Sequence, residues 1–316
     1  MPLAPAACTA YDALVAHVAS ANANEEAIRA WDGPLFEVFV RFRHLLTSGL
    51  GAHGEEALSL VRPRPGDRVL DIGCGFGDTT QRIAGLVGAS GAVLGVDAAP
   101  RFIEMARHQA EQAGLANVRF AVADVETTSF GERFQLAFSR MGTMFFANPV
   151  AALRNVREAL VPGGTLAMVV WRARVENDWL YRAQTITERF VAKPEEYDEP
   201  TCGPGPFAMA NADTTSGILV SAGYQAISLR RCDLPITIGS DLDEAVDFVM
   251  SLGPAGEILR LAGERAEHLH TPVAAALREG LAEWAGPDGV TAPASTWIVT
   301  ASAPSGAPAD VGSAGR

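Results

Sequence analysis

The sequence predicts an α/β protein in which a largely parallel sheet is wound on both faces by helices. Five strand-length runs rich in Val, Leu, Ile and Phe recur between residues 68 and 171, and amphipathic stretches of helical period lie between them. The runs are apolar throughout instead of alternating, as strands are when both faces are covered. Strand–helix repetition of this kind builds a parallel sheet with right-handed crossovers.

The strands are "RVLDI" (68–72), "AVLGVD" (92–97), "VRFAVAD" (118–124), "FQLAFS" (134–139) and "TLAMVVW" (165–171). Between the second and third, Phe102, Ile103, Ala106, Ala110 and Ala113 fall on one helical face, with Arg101, Glu104, His108 and Glu111 opposite. Asn148 as N-cap and Pro149 in the first turn open a later helix that carries Leu153, Val156 and Leu160 inward and is stopped by "PGG" at 162–164. Residues 25–65 read as two or three helices ahead of the first strand. Residues 172–211 form an insertion with the turn-rich "TCGPGPF". A helix ending at Gly223, a strand near "QAISLRR", helices over about 241–285 and an alternating closing strand "STWIVTAS" complete the pattern. The predicted division is an N-terminal arm with lid helices (1–64), a main domain (65–302) with helical insertions at about 172–211 and 241–285, and a disordered tail (303–316) of small polar residues.

Composition narrows the function. A chain of 316 residues, 48% hydrophobic, can bury a large core. A net charge of -12, with no Lys/Arg-rich block, opposes a nucleic-acid or anionic-membrane partner. No run of 18 apolar residues exists, so no membrane span is predicted. Cys8, Cys74, Cys202 and Cys232 form no C-x-x-C pair, which argues against a metal site or a disulfide framework and for a reducing cytoplasm. The Ala-rich start lacks the basic residues and the unbroken apolar run of a leader and reads as an arm.

The chemistry concentrates in "VLDIGCGFGDTT", residues 69–80. Glycines directly after a strand mark backbone that approaches a ligand at the carboxyl edge of a sheet. A G-x-G-x-x-G fingerprint would need glycine at 73, 75 and 78, but position 78 is Asp and the third glycine is Gly77. An acidic side chain there repels a pyrophosphate, so a ligand without phosphates suits the loop better. Asp71, Asp97 and Asp124 each close a predicted strand. Such residues can cap the following helix or turn, or can receive a ligand's hydrogen bonds.

The ordered set "VLDIGCGFGDTT", "VLGVDAAPRFIEMAR", "FAVADVE", "FQLAFSRMGTMFF" and "ALVPGGTLAMVVW" resembles the class I S-adenosylmethionine-dependent methyltransferases, strongly over about 65–175. Within them it looks most like the small-molecule branch that includes the ubiquinone/menaquinone C-methyltransferases. The resemblance implies a Rossmann-like, doubly wound, mostly parallel seven-stranded sheet with an antiparallel final strand and a helical lid. It implies S-adenosylmethionine as cofactor, with Gly73 and Gly75 passing beneath its methionine and ribose parts. Asp97 would accept from both ribose hydroxyls, and Asp124 from the adenine amino group with the Val125 amide on a ring nitrogen. Ala98 and Phe102 would flank the adenine, Asp71 would help hold the amino group, and Ser139 and Arg140 would lie at the methionine end. The implied reaction is methyl transfer to a small, apolar organic acceptor by in-line displacement, which needs alignment and exclusion of water more than a dedicated catalytic group.

A general base would help if the acceptor is a hydroxyl, phenol or carbon acid. His17, His44, His53, His108, His268 and His270 all also read as surface or packing residues, and His44, on the helices expected to cover the site, is the candidate. "SRMG" follows the fourth strand where an amide motif of the N-P-P-Y type would mark attack by a base amino group. A nicotinamide-dependent oxidoreductase and a non-catalytic cofactor-binding protein remain open as alternatives. Oligomeric state and the acceptor atom are not legible.

Overall fold

A computed structural model describes residues 25, 27–191, 204–263 and 268–306. The N-terminal arm before residue 25, the tail beyond 306, Cys8 and Cys202 lie outside them. Helical residues 27–32 lead into α1 (Pro34–Arg41) and α2 (Arg43–Val61) ahead of the sheet. There follow β1 (Arg68–Ile72), α3 (Asp78–Val87), β2 (Ala92–Asp97), α4 (Pro100–Gln112), β3 (Val118–Val122), β4 (Phe134–Arg140), α5 (Pro149–Ala159) and β5 (Leu160–Trp171). The remainder comprises α6 (Asp178–Thr187), α7 (Ala212–Ser221), β6 (Gln225–Gly239), α8 (Leu242–Ser251), α9 (Gly253–Ala262), α10 (His270–Leu281), β7 (Ala285–Gly286) and β8 (Gly289–Ser302).

The strands form one sheet in the order β3-β2-β1-β4-β5-β8-β6, with β7 paired to β8. β1 to β5 are parallel, and β8 runs antiparallel to both its neighbours. The expected seven strands are therefore β1–β6 and β8, and the two-residue β7 adds an eighth. Strand order reverses between β1, which leads on to β2, and β4; ligands of open α/β sheets sit in the crevice beyond that switch.

One face of the sheet is covered by α2 and α3, whose Ala57, Leu58, Ile83 and Val87 pack on Val69, Val93, Phe138 and Val169. The other carries the larger core, running from Leu70, Ile72 and Met168 through α5 to Phe248 and Leu277 of the C-terminal helices. Asn148 caps α5 as expected, its side chain accepting from the Ala151 amide at 3.0 Å. Leu160, expected on that helix, instead starts β5. "PGG" forms an irregularity within the strand, with Phe134 opposite Leu160 and Leu136 opposite Thr165. β6 and β8 are longer than their sequences suggest because each pairs with the other along almost its whole length. Pro235 lies opposite Pro293, a pairing that propensity disfavours.

The N-terminal helices reach the C-terminal ones over the crevice end of the sheet. Phe42 packs edge-on against Phe248 with ring centroids 5.2 Å apart, and Arg41 pairs with Asp247.

Candidate cofactor site at the sheet switch

The glycine loop runs from β1 into α3 with Gly73, Gly75 and Gly77 all at positive φ, 62°, 52° and 80°. A Cβ on Gly73 would stand 2.8 Å from Gly142 Cα, so the loops after β1 and β4 touch across the switch through two glycines. A Cβ on Gly75 would meet nothing closer than Phe102 at 3.9 Å. Gly73 is thus demanded by the chain's own close approach, while Gly75 leaves backbone open to the crevice. Gly73→Ala is expected to cost about 2 kcal/mol or more, from left-handed strain plus the clash. Gly75→Ala should cost about 1 kcal/mol, from strain alone. Thermal melts of the two variants read the difference.

Asp97 ends β2. Its Oδ2 accepts from the Gly75 amide and its Oδ1 from the Ala99 amide, both at 3.0 Å. One carboxylate therefore pins the glycine loop to the first turn of α4 and keeps a further acceptor site on each oxygen. Burial pushes its pKa up, against the pull of the backbone amides. Ala98, beside it, is half-buried.

Asp71 lies beneath the loop, only 1% exposed, where Thr80 Oγ1 donates to its Oδ2 at 2.6 Å. Burial raises its pKa to about 7, with Thr80 and Arg140 acting the other way. Arg140 leaves β4 and turns toward the covering helices, its Nε donating to Thr79 Oγ1 at 3.1 Å and its Nη1 to the Leu46 carbonyl at 3.5 Å. The structure thus engages Arg140 between α2 and α3. Ser139 is fully buried and its hydroxyl donates to the Ile72 carbonyl at 2.8 Å, locking β1 to β4 under the loop. Met141 follows at φ 63°, a non-glycine residue held in left-handed geometry at the floor of the crevice.

β3 stops at Val122, two residues short of Asp124. The Ala123 amide still donates to the Asp97 carbonyl at 2.9 Å, so Asp124 and Asp97 belong to one edge. Asp124 Oδ1 accepts from the Glu126 amide at 2.9 Å, which is the turn-capping role. Val125 is buried and its carbonyl accepts from Asn155 Nδ2 at 3.1 Å. Phe102 is 3% exposed, enclosed by Phe36 and Phe76, each with its ring centroid 4.9 Å away.

The structure adds residues to which the sequence assigns no site role. Trp31 stands 4.9 Å from Phe145, after β4, and 6.5 Å from Phe102 on α4, so its ring bridges the two sides of the crevice. Asp32 accepts from the Arg101 amide at 2.9 Å. Glu126 accepts from the amides of Ala147 and Asn148 at 2.6 and 3.0 Å, tying the turn after β3 to the start of α5. Each depends on contacts between distant segments, where local pattern carries no information.

His44 is not brought to this crevice. It faces outward, 57% of its side chain exposed, with Nε2 3.0 Å from Glu244 of α8. His44→Ala is expected to leave any methyl-transfer rate unchanged within twofold and stability within about 0.5 kcal/mol, measured by activity assay and thermal melt. His53 is fully buried, its Nδ1 3.0 Å from Thr296 Oγ1. Among the described residues no cluster of three His, Cys, Asp or Glu side chains is placed to hold a metal, and no helix is long and apolar enough to cross a membrane.

A parallel sheet with an antiparallel β8 inserted before β6, a glycine loop at the switch and an acidic residue at the tip of β2 define the class: a Rossmann-like α/β domain. Comparison with known proteins adds to this: residues 63–215 match the family described as "Methyltransferase domain". Two relatives are the aklanonic acid methyltransferase DauC of Streptomyces sp. (strain C5) and the ubiquinone biosynthesis O-methyltransferase of Cereibacter sphaeroides (strain KD131). The first is 39% identical over 38% of this chain and 56% of its own. The second is 35% identical over 48% of this chain and 66% of its own, so the matches span between half and two thirds of these relatives. The solved structure of the YcgJ protein from Bacillus subtilis shares the fold, with TM-score 0.52 and 18% identity over 81% of this chain and 98% of that one.

Proposed function

We propose that this chain transfers a methyl group from S-adenosylmethionine to a small, apolar organic acceptor by in-line displacement. The observation that carries it is Asp97, an acceptor-only side chain at the tip of β2 that faces the switch-point crevice and is already tied to the loop below it. The cofactor would supply an electrophilic methyl on a cationic sulfur. Gly75 would present backbone to it, Asp97 would take the ribose hydroxyls, and Asp124 with Val125 would receive the adenine edge. Ala98 and Phe102 would bound the adenine face. Asp71, buried beneath the loop with Thr80 donating to it, would help hold the cofactor's amino group through the loop. Ser139 and Arg140 would act from below, by fixing β4 and the N-terminus of α3.

Water exclusion would fall to Trp31, whose ring packs against Phe145 and Phe102. The two relatives' names, with aklanonic acid in one and ubiquinone in the other, support a small organic acceptor. Their methyltransferase identity also favours catalysis over mere binding. A nicotinamide cofactor fits poorly, because Asp78 occupies the first turn of α3 and pairs with Arg43 at 2.7 Å where a pyrophosphate needs bare amides. Domain 65–302 with its helical additions, closed by residues 25–64, is the proposed catalytic unit. A reducing, cytoplasmic setting and the absence of a nucleic-acid partner are part of the same reading, given the free thiols Cys74 and Cys232 and the acidic net charge.

The test is incubation with methyl-labelled S-adenosylmethionine and a bacterial small-molecule extract, followed by mass spectrometry. Label in a small organic product is expected. Cofactor binding without any transferred label would replace the enzyme by a binding protein, and no binding at all would end the reading.

A further inference from the structure

The helix α4 begins without a cap of its own, since its N-cap residue is Ala99, which has no side-chain acceptor. The missing acceptor comes from far away in sequence. Asp32 Oδ1 takes the Arg101 amide at 2.9 Å, and the Arg101 guanidinium answers by reaching the Asp32 carbonyl at 3.4 Å and Glu37 at 2.6 Å. The same guanidinium lies 4.0 Å from the centroid of the Phe36 ring. Residues 31–37 are therefore bolted to the first turn of α4 by one amide, one guanidinium and one ring.

That turn is the other anchor of Asp97, whose Oδ1 holds the Ala99 amide two residues earlier. Next to Asp32 in the chain, Trp31 bridges the crevice between Phe102 and Phe145. A displacement of the 97–101 turn moves the acceptor side chain and the covering segment together.

We propose that Asp32 is a positioning residue: by capping α4 from the covering segment it couples seating of the cofactor's ribose at Asp97 to closure of the Trp31 segment over the crevice. The coupling rests on the methyl-transfer reading for the identity of the ligand. It is reciprocal, so what tightens the ribose seat must also hold the segment shut. Asn at position 32 keeps the accepting oxygen and Ala removes it, which separates capping from charge.

The test uses the full chain with S-adenosylhomocysteine as probe, followed by calorimetry and by hydrogen exchange of residues 34–41. In the wild type, binding is expected to slow exchange in that segment. Asp32→Ala should bind about fivefold more weakly and lose the protection, while Asp32→Asn should stay within about twofold of wild type and keep it. The proposal is overturned if the probe binds wild type with exchange at 34–41 unchanged, or if Asp32→Ala binds and protects as wild type does. It is equally overturned if Asp32→Asn weakens binding more than fivefold. Should Asp32→Ala fail to fold, wild-type exchange and Asp32→Asn affinity decide alone. A wild type that does not bind the probe overturns the cofactor reading itself, and this coupling with it.

Discussion

Asp97→Ala is expected to weaken S-adenosylmethionine binding about a hundredfold or more. Each carboxylate oxygen already accepts one backbone amide, from Gly75 or Ala99, and retains a lone pair for one ribose hydroxyl. Two hydrogen bonds to a charged acceptor, each of about 1.5–3 kcal/mol, multiply to that factor or beyond. The variant also frees the Gly75 amide, so the loop loses its tether as the ligand loses its partner. Calorimetry on a protein whose melting curve remains cooperative reads the effect, and an unchanged dissociation constant would remove Asp97 from the site. Asp97→Asn should fall between, because its amide oxygen keeps only one of the two acceptors and its nitrogen can only donate.

Asp71 should give the fold a pH dependence of unusual sign for a carboxylate. Burial raises its pKa to about 7 from an ordinary value near 3.8, and neither the Thr80 hydroxyl nor the nearby Arg140 compensates. Between pH 4 and 7 the folded protein therefore keeps a proton that the unfolded chain has released. Stability from this group is complete below pH 4, falls as pH rises through 7, and levels off above. At 1.36 kcal/mol per pH unit the contribution amounts to about 4 kcal/mol across the window. Asp97 and Glu126, also raised by burial, act in the same direction. Melting temperatures between pH 5 and 8 should decline in the wild type and decline less in Asp71→Asn. Equal slopes in the two proteins would show that Asp71 is not the buried acid it resembles here.

Much of this was legible in advance because it is written locally. Apolar runs and helical periods located β1 to β4, the second half of β5 and the helices α4 and α5 to within a few residues, and the offset of Gly77 separated the loop from a dinucleotide fingerprint. The errors lie where pairing overrides propensity. "PGG" interrupts a helix pattern yet sits inside β5, because Thr165 onward must remain in register with Leu136 of β4. β6 runs to Gly239, through Pro235, because β8 pairs with it as far as Val290. Asp124 lies beyond the end of β3 and caps a turn, a role that its position in an apolar run could not distinguish from ligand binding.

The same division holds at the site. Sequence alone determined which residue types stand at the strand tips, since a glycine loop, an Asp at 97 and an Asp at 71 are consequences of one ordered chain. Tertiary structure decided what each one touches. It buried Asp71 under Thr80, turned Arg140 toward α2, sent His44 to the surface beside Glu244, and brought Asp32 to a helix that starts more than sixty residues later. The reason is physical: backbone periodicity and side-chain chemistry are properties of neighbours in the chain, whereas desolvation, hydrogen-bond partners and close approach are properties of neighbours in space.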